Sequence, residues 1–518
     1  MSGPRSRCLA VLLGAACAVL TLCAPALGSS GQEATFQDDT SLKGQPAQTL
    51  ATLATLGVDR VRVFIAWSSI APAANSRHRP SRFNASDPAA YPNAGWAPYD
   101  AILEDARAQG IGVDFDLAGS VPLWATQRAP NALLAHQWEP SASEFRAFAT
   151  AVGRRYSGAY RPSGSSSPLP RVTYWSIWNE PNVGTSLSPQ TTQGGRLEVS
   201  PRYYRALLGA GWSALGATGH AHDTILIGEL APRGHDNPGT LLGTAPLRFL
   251  RALYCVDATY HPLRGSAAAT RGCPTSAARS RAFRRANPGL FAATGFAHHP
   301  YSLDTPPGAR SPNSDWVTLA DLPRLERALD RLQSVYGSHT RFPIYLTEYG
   351  YETNPPRTQI NTTPAQQAAY LNQAEYMAWH DPRVRTLAQY LLVDAPPAGG
   401  AADSAFASGL MFTNLRAKPS FAAYRLPISM PVTATRRGRS LEVWGCVRPA
   451  RNGTVVNVGL QFAPRGKPFA TVRTLRVSNG HGYFDVGQRF ASSGSVRFTW
   501  TDPSGQTLDS PTVSISLR

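Results

Sequence analysis

The sequence contains few cysteines. Of its six cysteines, three lie in the first 23 residues, and only Cys255, Cys273 and Cys446 lie beyond them. No cysteine–histidine cluster has the spacing of a metal site, so a structural zinc site is not predicted. Cys255 and Cys273 are close enough in sequence to close one loop. Cys446 is then expected to be a buried thiol.

Lysine is also scarce. The net charge is +17, yet only three of the 50 lysine and arginine residues are lysines, at positions 43, 418 and 467. The arginines are scattered, apart from short groups such as that in residues 279–285. Nucleic-acid binding requires basic residues that cluster on one element, so we expect no nucleic-acid partner. The charge indicates an arginine-rich solvated surface, and a preference for acidic polysaccharide is the alternative.

Beyond the N-terminus, no apolar run is long enough to cross a bilayer. At the N-terminus, Arg5 and Arg7 precede an apolar stretch from Cys8 to about Cys23, and small residues follow it. This pattern is typical of a secretory signal. We therefore expect a signal peptide over residues 1–28 and a secreted protein that is not held in the membrane after cleavage; an uncleaved anchor is the alternative.

Strand-like and helix-like segments alternate over residues 34–427. Residues 232–289 interrupt this order and are predicted to form an elaborated loop with some helix at 246–254. Eight strand-plus-helix repeats predict an α/β fold, specifically a (β/α)8 TIM barrel. The predicted strands cover residues 34–37, 60–65, 111–117, 171–178, 224–228, 296–298, 344–347 and 387–393.

The pattern changes after Pro427. Residues 428–518 contain short alternating runs separated by turn residues such as Asn479-Gly480. This spacing predicts a β-sandwich of the immunoglobulin-like kind. A spacer is one interpretation of this domain, and a module that binds cell-wall polysaccharide is the other.

Two of the predicted barrel strands are followed by glutamate. The run RVTYWSIWNEPN carries Glu180, and FPIYLTEYGY carries Glu348. Active sites of TIM barrels lie at the C-terminal ends of the strands. Two carboxylates at one site suit glycosidic cleavage, in which one is protonated and the other attacks the anomeric carbon.

These segments resemble a known family. WSIWNEPN and IYLTEYGY are similar to the catalytic segments of the retaining glycoside hydrolases of clan A, most closely family 39; the cellulase-like family 5 shares the Asn-Glu-Pro element. The resemblance implies that Glu180 is the general acid/base and Glu348 the nucleophile. It further implies that Asn179 binds the sugar 2-hydroxyl and that Arg62, in DRVRVFIAW, supports the nucleophile.

The segment AHHPYS resembles the sixth-strand element beside the nucleophile. His299 and Tyr301 are two residues apart and should face the same side of a strand, whereas His298 should face the other side. We expect Tyr301 to donate to Glu348 and Arg62 to lower the pKa of Glu348.

Further residues near strand ends are candidates for sugar contacts. Aromatic rings stack on pyranose faces, which makes tryptophans candidate platforms, although Trp178 is equally well interpreted as core. Glu229 is interpreted as a substrate contact or loop anchor, and Glu352 is expected to lie too far out to attack. The candidates are Trp67, Trp124 and Trp178 for stacking, and Asp116 and Asp394 for hydroxyl groups.

The sequence therefore predicts a secreted retaining glycosidase that cleaves O-glycosidic bonds of a polysaccharide or glycoside by double displacement. No metal or organic cofactor is expected. Two alternatives stay open: a non-catalytic carbohydrate-binding barrel, and a structural protein of the cell wall anchored through residues 428–518.

Overall fold

The structure is a computed structural model that describes residues 29, 31–235, 243–397, 406–450 and 452–518. The predicted signal peptide, residues 1–28, lies outside these described residues. Within them, no helix is long and apolar enough to span a bilayer.

Eight parallel strands close into a barrel in which each strand pairs with its neighbours in chain order and the last pairs with the first. This confirms the predicted TIM barrel. The strands are β1 (Glu33–Gln37), β2 (Arg60–Ala66), β3 (Gly112–Ala118), β4 (Tyr174–Ile177), β5 (Thr224–Leu230), β6 (Gly295–His298), β7 (Ile344–Tyr349) and β8 (Val384–Tyr390).

A helix packs outside the barrel after each strand. In the third of these helices, Ser141 caps the N-terminus by accepting from the backbone of Glu144, and Phe145, Phe148 and Val152 face the barrel at helical spacing. The outer helices are α1 (Pro46–Thr55), α2 (Asn93–Gln109), α3 (Ala142–Arg155), α4 (Ser200–Leu215), α5 (Pro246–Leu253), α6 (Leu322–Val335), α7 (Pro364–Trp379) and α8 (Pro419–Arg425).

Shorter elements fill the connections. A two-stranded hairpin pairs Thr191–Thr192 with Leu197–Glu198 after β4. The remaining short helices are Asp39–Gly44, Trp67–Ile70, Gly216–His220, Gly265–Thr270, Ala277–Arg281, Phe283–Ala286 and Gly289–Ala292, with single turns at Pro88–Ala90, Leu123–Ala125, Ala132–Leu134 and Leu319–Asp321.

Alternation along β2 explains how a charged residue enters the barrel. Val61, Val63 and Ile65 join the hydrophobic core between strands and helices. Arg62 points the other way, into the barrel interior, where it meets side chains from several other strands. Successive strand residues face opposite sides, so the apolar residues of β2 and its arginine do not compete for the same space.

The structure shifts one predicted strand and adds detail to the predicted loop. The eighth strand ends at Tyr390 rather than at residue 393, so Asp394 lies four residues beyond its tip. Between β5 and β6 the described residues form α5 and four short helices, and Cys255 and Cys273 are joined by a disulfide. Cys446 is a buried free thiol, as predicted.

Residues after Pro427 form two sheets that face each other across one apolar core, which confirms the predicted β-sandwich. One sheet has the order β9-β11-β14, and the other β10-β17-β15-β12-β13, with β16 paired to β15. The strands are β9 (Ile428–Ser429), β10 (Ala434–Thr435), β11 (Ser440–Cys446), β12 (Val456–Pro464), β13 (Ala470–Val477), β14 (Tyr483–Arg489), β15 (Gly494–Thr501), β16 (Thr507–Asp509) and β17 (Val513–Leu517).

The sandwich packs against α7 and the N-terminal ends of β1 and β2. Arg448 donates to Glu375 of α7, with Nη1 3.2 Å from Oε2, and the Tyr483 hydroxyl donates to the same carboxylate at 2.9 Å. His481 lies 3.2 Å from Asp59, which precedes β2. The sandwich is therefore at the opposite end of the barrel from the C-terminal ends of the strands.

Replacing Glu375 with alanine should destabilise the protein strongly. The substitution leaves Arg448, which is 3% exposed, as a buried charge without its carboxylate. Breaking a buried ion pair in this way costs about 3–5 kcal/mol. We expect a large drop in the urea midpoint of E375A. The control E104A removes an exposed glutamate of α2, so its free energy of unfolding should change by under about 0.5 kcal/mol and its urea midpoint should stay near that of the wild type. Equal midpoints for the two variants would contradict the assigned role of the pair.

Candidate active site

Two glutamates face each other at the C-terminal end of the barrel. Glu180 lies three residues beyond the end of β4, and Glu348 is near the end of β7. One carboxylate oxygen of each lies within 4.8 Å of the other, and His299 offers a ring nitrogen within the same distance of both. They line a cleft of about 600 Å³ whose other walls include Phe64, Asn179, Arg233, Tyr301, Trp316, Tyr390 and Phe406.

The backbone turns sharply to present Glu180. Trp178 and Glu180 have φ of +70° and +43°, a region that costs non-glycine residues of order 1–3 kcal/mol. Two hydrogen bonds hold the turn: Trp178 N donates to Leu117 O at 3.0 Å, and Glu180 N donates to Glu229 O at 2.9 Å. The Trp178 ring is fully buried against Phe145, so the core interpretation holds and the sugar-platform interpretation is wrong.

Arg62 is the centre of the site. Its side chain is fully buried, and its two terminal nitrogens donate to residues of several strands. One contact is with Glu348, at 2.8 Å, as the resemblance implied. Because it is sealed from solvent, Arg62 positions other groups and does not touch a substrate. Its other partners are Gln37 (2.6 Å), Asp116 (2.8 Å), Asn179 (3.0 Å) and Glu229 (3.0 Å).

The contact with Asn179 sets the direction of its amide. Arg62 donates to Oδ1, so the Asn179 nitrogen remains available as a donor. Asn179 also lines the cleft beside Glu180. The free amide nitrogen of Asn179 can therefore donate to a sugar hydroxyl in the cleft, which is the contact that the resemblance implies for this residue.

Glu229 is a buried structural anion rather than a substrate contact. It is 0% exposed and accepts from Ser176 at 2.6 Å and Thr347 at 2.5 Å, besides Arg62 and His299. Although burial raises its pKa, Arg62 and His299 lower the pKa of Glu229 to about 2. The substrate-contact interpretation was wrong because β5 directs this side chain into the barrel interior. The run TILIGEL carries Glu229 near the end of its strand, as the strands of the two catalytic candidates do. This position was the sequence signal that Glu229 belongs to the site.

His299 connects three carboxylates. Nδ1 lies 3.0 Å from Glu180 and 3.6 Å from Glu348, and Nε2 lies 2.9 Å from Glu229. Burial lowers the pKa of His299, but the charge of Glu348 and the bonds to Glu180 and Glu229 outweigh it and raise the pKa to about 10. Both ring nitrogens of the charged imidazole then donate. His298 faces away, as predicted, and lies 2.9 Å from Val317 O.

Glu348 is the more deeply buried of the two catalytic candidates. Its side chain is 9% exposed, against 23% for Glu180. Tyr301 donates to its Oε2 at 3.1 Å, as predicted, and Arg62 occupies Oε1. Burial raises the pKa of Glu348, against the lowering effect of His299 and Arg62. Arg62 lowers the pKa of Glu348, as expected, but desolvation is the larger effect and the net shift is upward.

Two predicted sugar-binding aspartates are also buried. Asp116 is fully buried and paired with Arg62, and burial raises its pKa well above the usual value. Asp394 pairs with Lys418 at 2.8 Å and accepts from Gly409 N. Both side chains are sealed from solvent, so neither can reach a sugar hydroxyl.

Two predicted platforms lie elsewhere. Trp67 is 0% exposed and stacks on Phe148 with ring centroids 5.3 Å apart, so it is a core residue and the prediction was wrong. Trp124 packs edge-on against Trp67 and Phe83, and its indole nitrogen donates to Pro72 O at 3.1 Å. Trp124 is not among the residues that line the cleft. Glu352 bonds to Arg357, away from the site, as expected.

Apart from Tyr301, the aromatic residues that line the cleft were not predicted. Trp316 belongs to the long loop after β6, where no periodic pattern marks it. Tyr390 is the last residue of β8. The predicted strand continued to residue 393, so Tyr390 was not recognised as a strand end. Arg233 lies 4.9 Å over the Trp316 ring.

Within the described ranges, two groups of side chains have a spacing that could hold a cation. The first is Glu180, His299 and Glu348, in which His299 Nδ1 is hydrogen-bonded to Glu180 and lies 3.6 Å from Glu348. The second, at the junction of barrel and sandwich, consists of His380, Glu442 and Asp485.

The fold and the site together define a (β/α)8 barrel with a carboxylate pair at the C-terminal ends of its strands. No protein-family profile and no curated protein matches the chain. Among solved structures it is similar to a family 39 glycoside hydrolase from the gut symbiont Bacteroides cellulosilyticus WH2, at 15% identity over 89% of this chain and 80% of that one, with a TM-score of 0.44.

Two further structures show the same kind of similarity. The family 39 enzyme from Xanthomonas axonopodis pv. citri is 13% identical over 90% of this chain and 93% of that one, with a TM-score of 0.47. The family 1 β-glucosidase from Thermotoga maritima is 14% identical over 73% of this chain and 84% of that one, with a TM-score of 0.44.

The charge on His299 predicts a pH-dependent stability. Because the pKa of His299 rises from an ordinary 6.5 to about 10 on folding, its contribution is complete below pH 6.5 and is lost as the pH rises towards 10. The urea midpoint of the wild type should therefore exceed that of H299Q by most at pH 6 and by progressively less up to pH 10. A difference that stays constant over this range would contradict a charged His299. H222Q, at an exposed histidine, is the control.

Proposed function

We propose that the protein is a retaining glycoside hydrolase in which Glu348 is the nucleophile and Glu180 the general acid/base. The observation that carries the proposal is the distance between the two carboxylates, whose nearest oxygens are within 4.8 Å. Retaining enzymes place the two carboxyl groups about 5–5.5 Å apart, whereas inverting enzymes need about 6.5–9.5 Å for a water molecule between them.

In the first step, a Glu348 oxygen attacks the anomeric carbon as the glycosidic C–O bond breaks. The proton of Glu180 passes to the leaving oxygen, and the glycosyl group becomes an ester of Glu348. Arg62 and Tyr301 hold the attacking carboxylate in place through one oxygen each. They are positioned before substrate arrives, so the attack requires no rearrangement of these groups.

In the second step, a water molecule attacks the anomeric carbon and gives a proton to Glu180, while the bond from that carbon to the Glu348 oxygen breaks and frees the carboxylate. The sugar leaves with its original anomeric configuration, because each step inverts the centre once. The greater exposure of Glu180 suits this role, since the proton must exchange with a leaving group and then with water. Its bond from His299 fixes one oxygen and leaves the other for proton transfer.

We also propose that the enzyme acts outside the cell. The N-terminal sequence has the pattern of a secretory signal, and the Cys255–Cys273 disulfide suits an oxidising compartment.

Replacing the nucleophile should abolish turnover. E348Q should lose at least about 1,000-fold in kcat on any glycoside that the wild type hydrolyses, found with a panel of fluorogenic glycosides and polysaccharides. E352Q, which changes a glutamate four residues away that bonds to Arg357, should keep wild-type activity. A 2-fluoro glycoside should add one glycosyl mass to the wild type in mass spectrometry and none to E348Q. Glycan binding without any hydrolysis would favour the carbohydrate-binding alternative.

Replacing the acid should give a loss that depends on the leaving group. E180Q should lose about 10²–10⁴-fold on substrates with a sugar leaving group, which needs a proton. On aryl glycosides with an acidic phenol the first step needs little protonation, so the loss there should be much smaller. An equal loss on both substrate types would contradict the assignment of Glu180.

Trp316 should contribute to binding rather than chemistry. W316A should raise KM roughly tenfold, equivalent to about 1.4 kcal/mol of lost apolar contact, with kcat nearly unchanged. W316F keeps an aromatic face and should show a smaller rise. Unchanged KM in W316A would exclude the ring from substrate binding.

A further inference from the structure

A second cluster of ionisable side chains joins the barrel to the sandwich. His380 directly follows α7 of the barrel, Glu442 lies on β11, and Asp485 lies on β14 of the same sheet. The Nε2 atom of His380 is 3.4 Å from Glu442 Oε1 and 4.0 Å from Asp485 Oδ2. All three atoms lie within 4.8 Å of one another. The cluster is unrelated to the catalytic carboxylates and has no role in the proposed reaction.

The surroundings of His380 determine which nitrogen can bind a cation. Nδ1 lies 2.9 Å from the backbone oxygen of Tyr376, which can only accept, so Nδ1 carries the hydrogen. The other ring nitrogen, Nε2, faces the oxygens of Glu442 and Asp485. A histidine fixed in this way by a carbonyl is the usual arrangement of a metal ligand.

The two carboxylates lack other cationic partners. Among the described residues, His380 is the only basic side chain within 4.0 Å of either. Glu442 Oε1 is shielded from solvent, and no hydrogen-bond donor of the described residues reaches it. The Nε2 atom of His380 and the two carboxylates therefore face one small volume.

The 3.4 Å between His380 Nε2 and Glu442 Oε1 is longer than a charged hydrogen bond and matches two ligands of one metal ion, whereas the 4.0 Å to Asp485 Oδ2 requires that side chain to move closer when an ion binds. A charged N–H to carboxylate bond is about 2.7–2.9 Å long. Ligand atoms around a tetrahedral zinc ion with bonds of about 2.0–2.2 Å lie about 3.4 Å apart, as His380 and Glu442 do here. The side chains of His380, Glu442 and Asp485 are 29%, 37% and 29% exposed, so water can enter and supply a fourth ligand.

We propose that His380, Glu442 and Asp485 form a binding site for a divalent cation of the zinc class, which links the barrel to the sandwich. Imidazole together with carboxylates favours Zn²⁺ over Ca²⁺ or Mg²⁺, which take oxygen ligands. Because one ligand comes from the barrel and two from the sandwich, binding stabilises the junction between the two domains. The neighbouring contact of Trp379 with Trp444 already holds the same surfaces together.

The test is calorimetric titration of Zn²⁺ into the metal-free, untagged full chain. The wild type should bind one ion at this site, and H380Q and E442Q should each weaken that binding by at least about tenfold. Zinc should raise the Tm of the wild type and not that of H380Q. Calcium should have little effect on either protein.

Two controls keep the result specific. H481Q changes another histidine at the same junction, which pairs with Asp59 alone and has similar exposure, and it should bind zinc like the wild type. E348Q removes one of the two carboxylates from the other candidate cation group, which consists of Glu180, His299 and Glu348. Zinc binding at the junction site should persist in this variant. Equal zinc affinity in the wild type and H380Q, or a Tm that zinc does not move, would overturn the proposal and leave His380 as a proton-bearing ion pair.

Discussion

The site depends on the buried guanidinium of Arg62. Arg62 is sealed inside the barrel, where an unpaired charge would be prohibitive, so carboxylates must surround it. The barrel satisfies this need from several strands at once, because their interior residues meet in one layer. Glu348 is one of those carboxylates. The group proposed as nucleophile is thus held by the same contacts that make the arginine tolerable in the core.

This arrangement makes the two catalytic carboxylates unequal. Glu348 is fixed through both oxygens and mostly buried, whereas Glu180 stands on a strained turn after β4 and is more exposed. His299 contacts both and also reaches Glu229, which couples their charges. A nucleophile must not move and a proton carrier must reach solvent, so the difference in burial separates the two roles.

The sandwich contributes to the other end of the molecule. It packs on α7 and on the segments that precede β1 and β2, while the cleft is lined by barrel residues. Its contacts combine aromatic packing around Trp444 with the buried pair of Arg448 and Glu375. A domain at this end does not line the cleft, and its contacts with α7 stabilise the barrel.

The sequence by itself determined the barrel, the sandwich and the two glutamates, because apolar alternation is local and parallel strand ends must meet at one edge. Only the tertiary structure decided which polar residues near strand ends face substrate. Asp116, Glu229 and Asp394 resemble site residues in sequence, yet Arg62, His299 and Lys418, far away in the chain, cover them. Trp67 was predicted to contact sugar but packs in the core, and Trp316, which was not predicted, lines the cleft. Both differences have one reason: burial depends on neighbours that no local sequence pattern specifies.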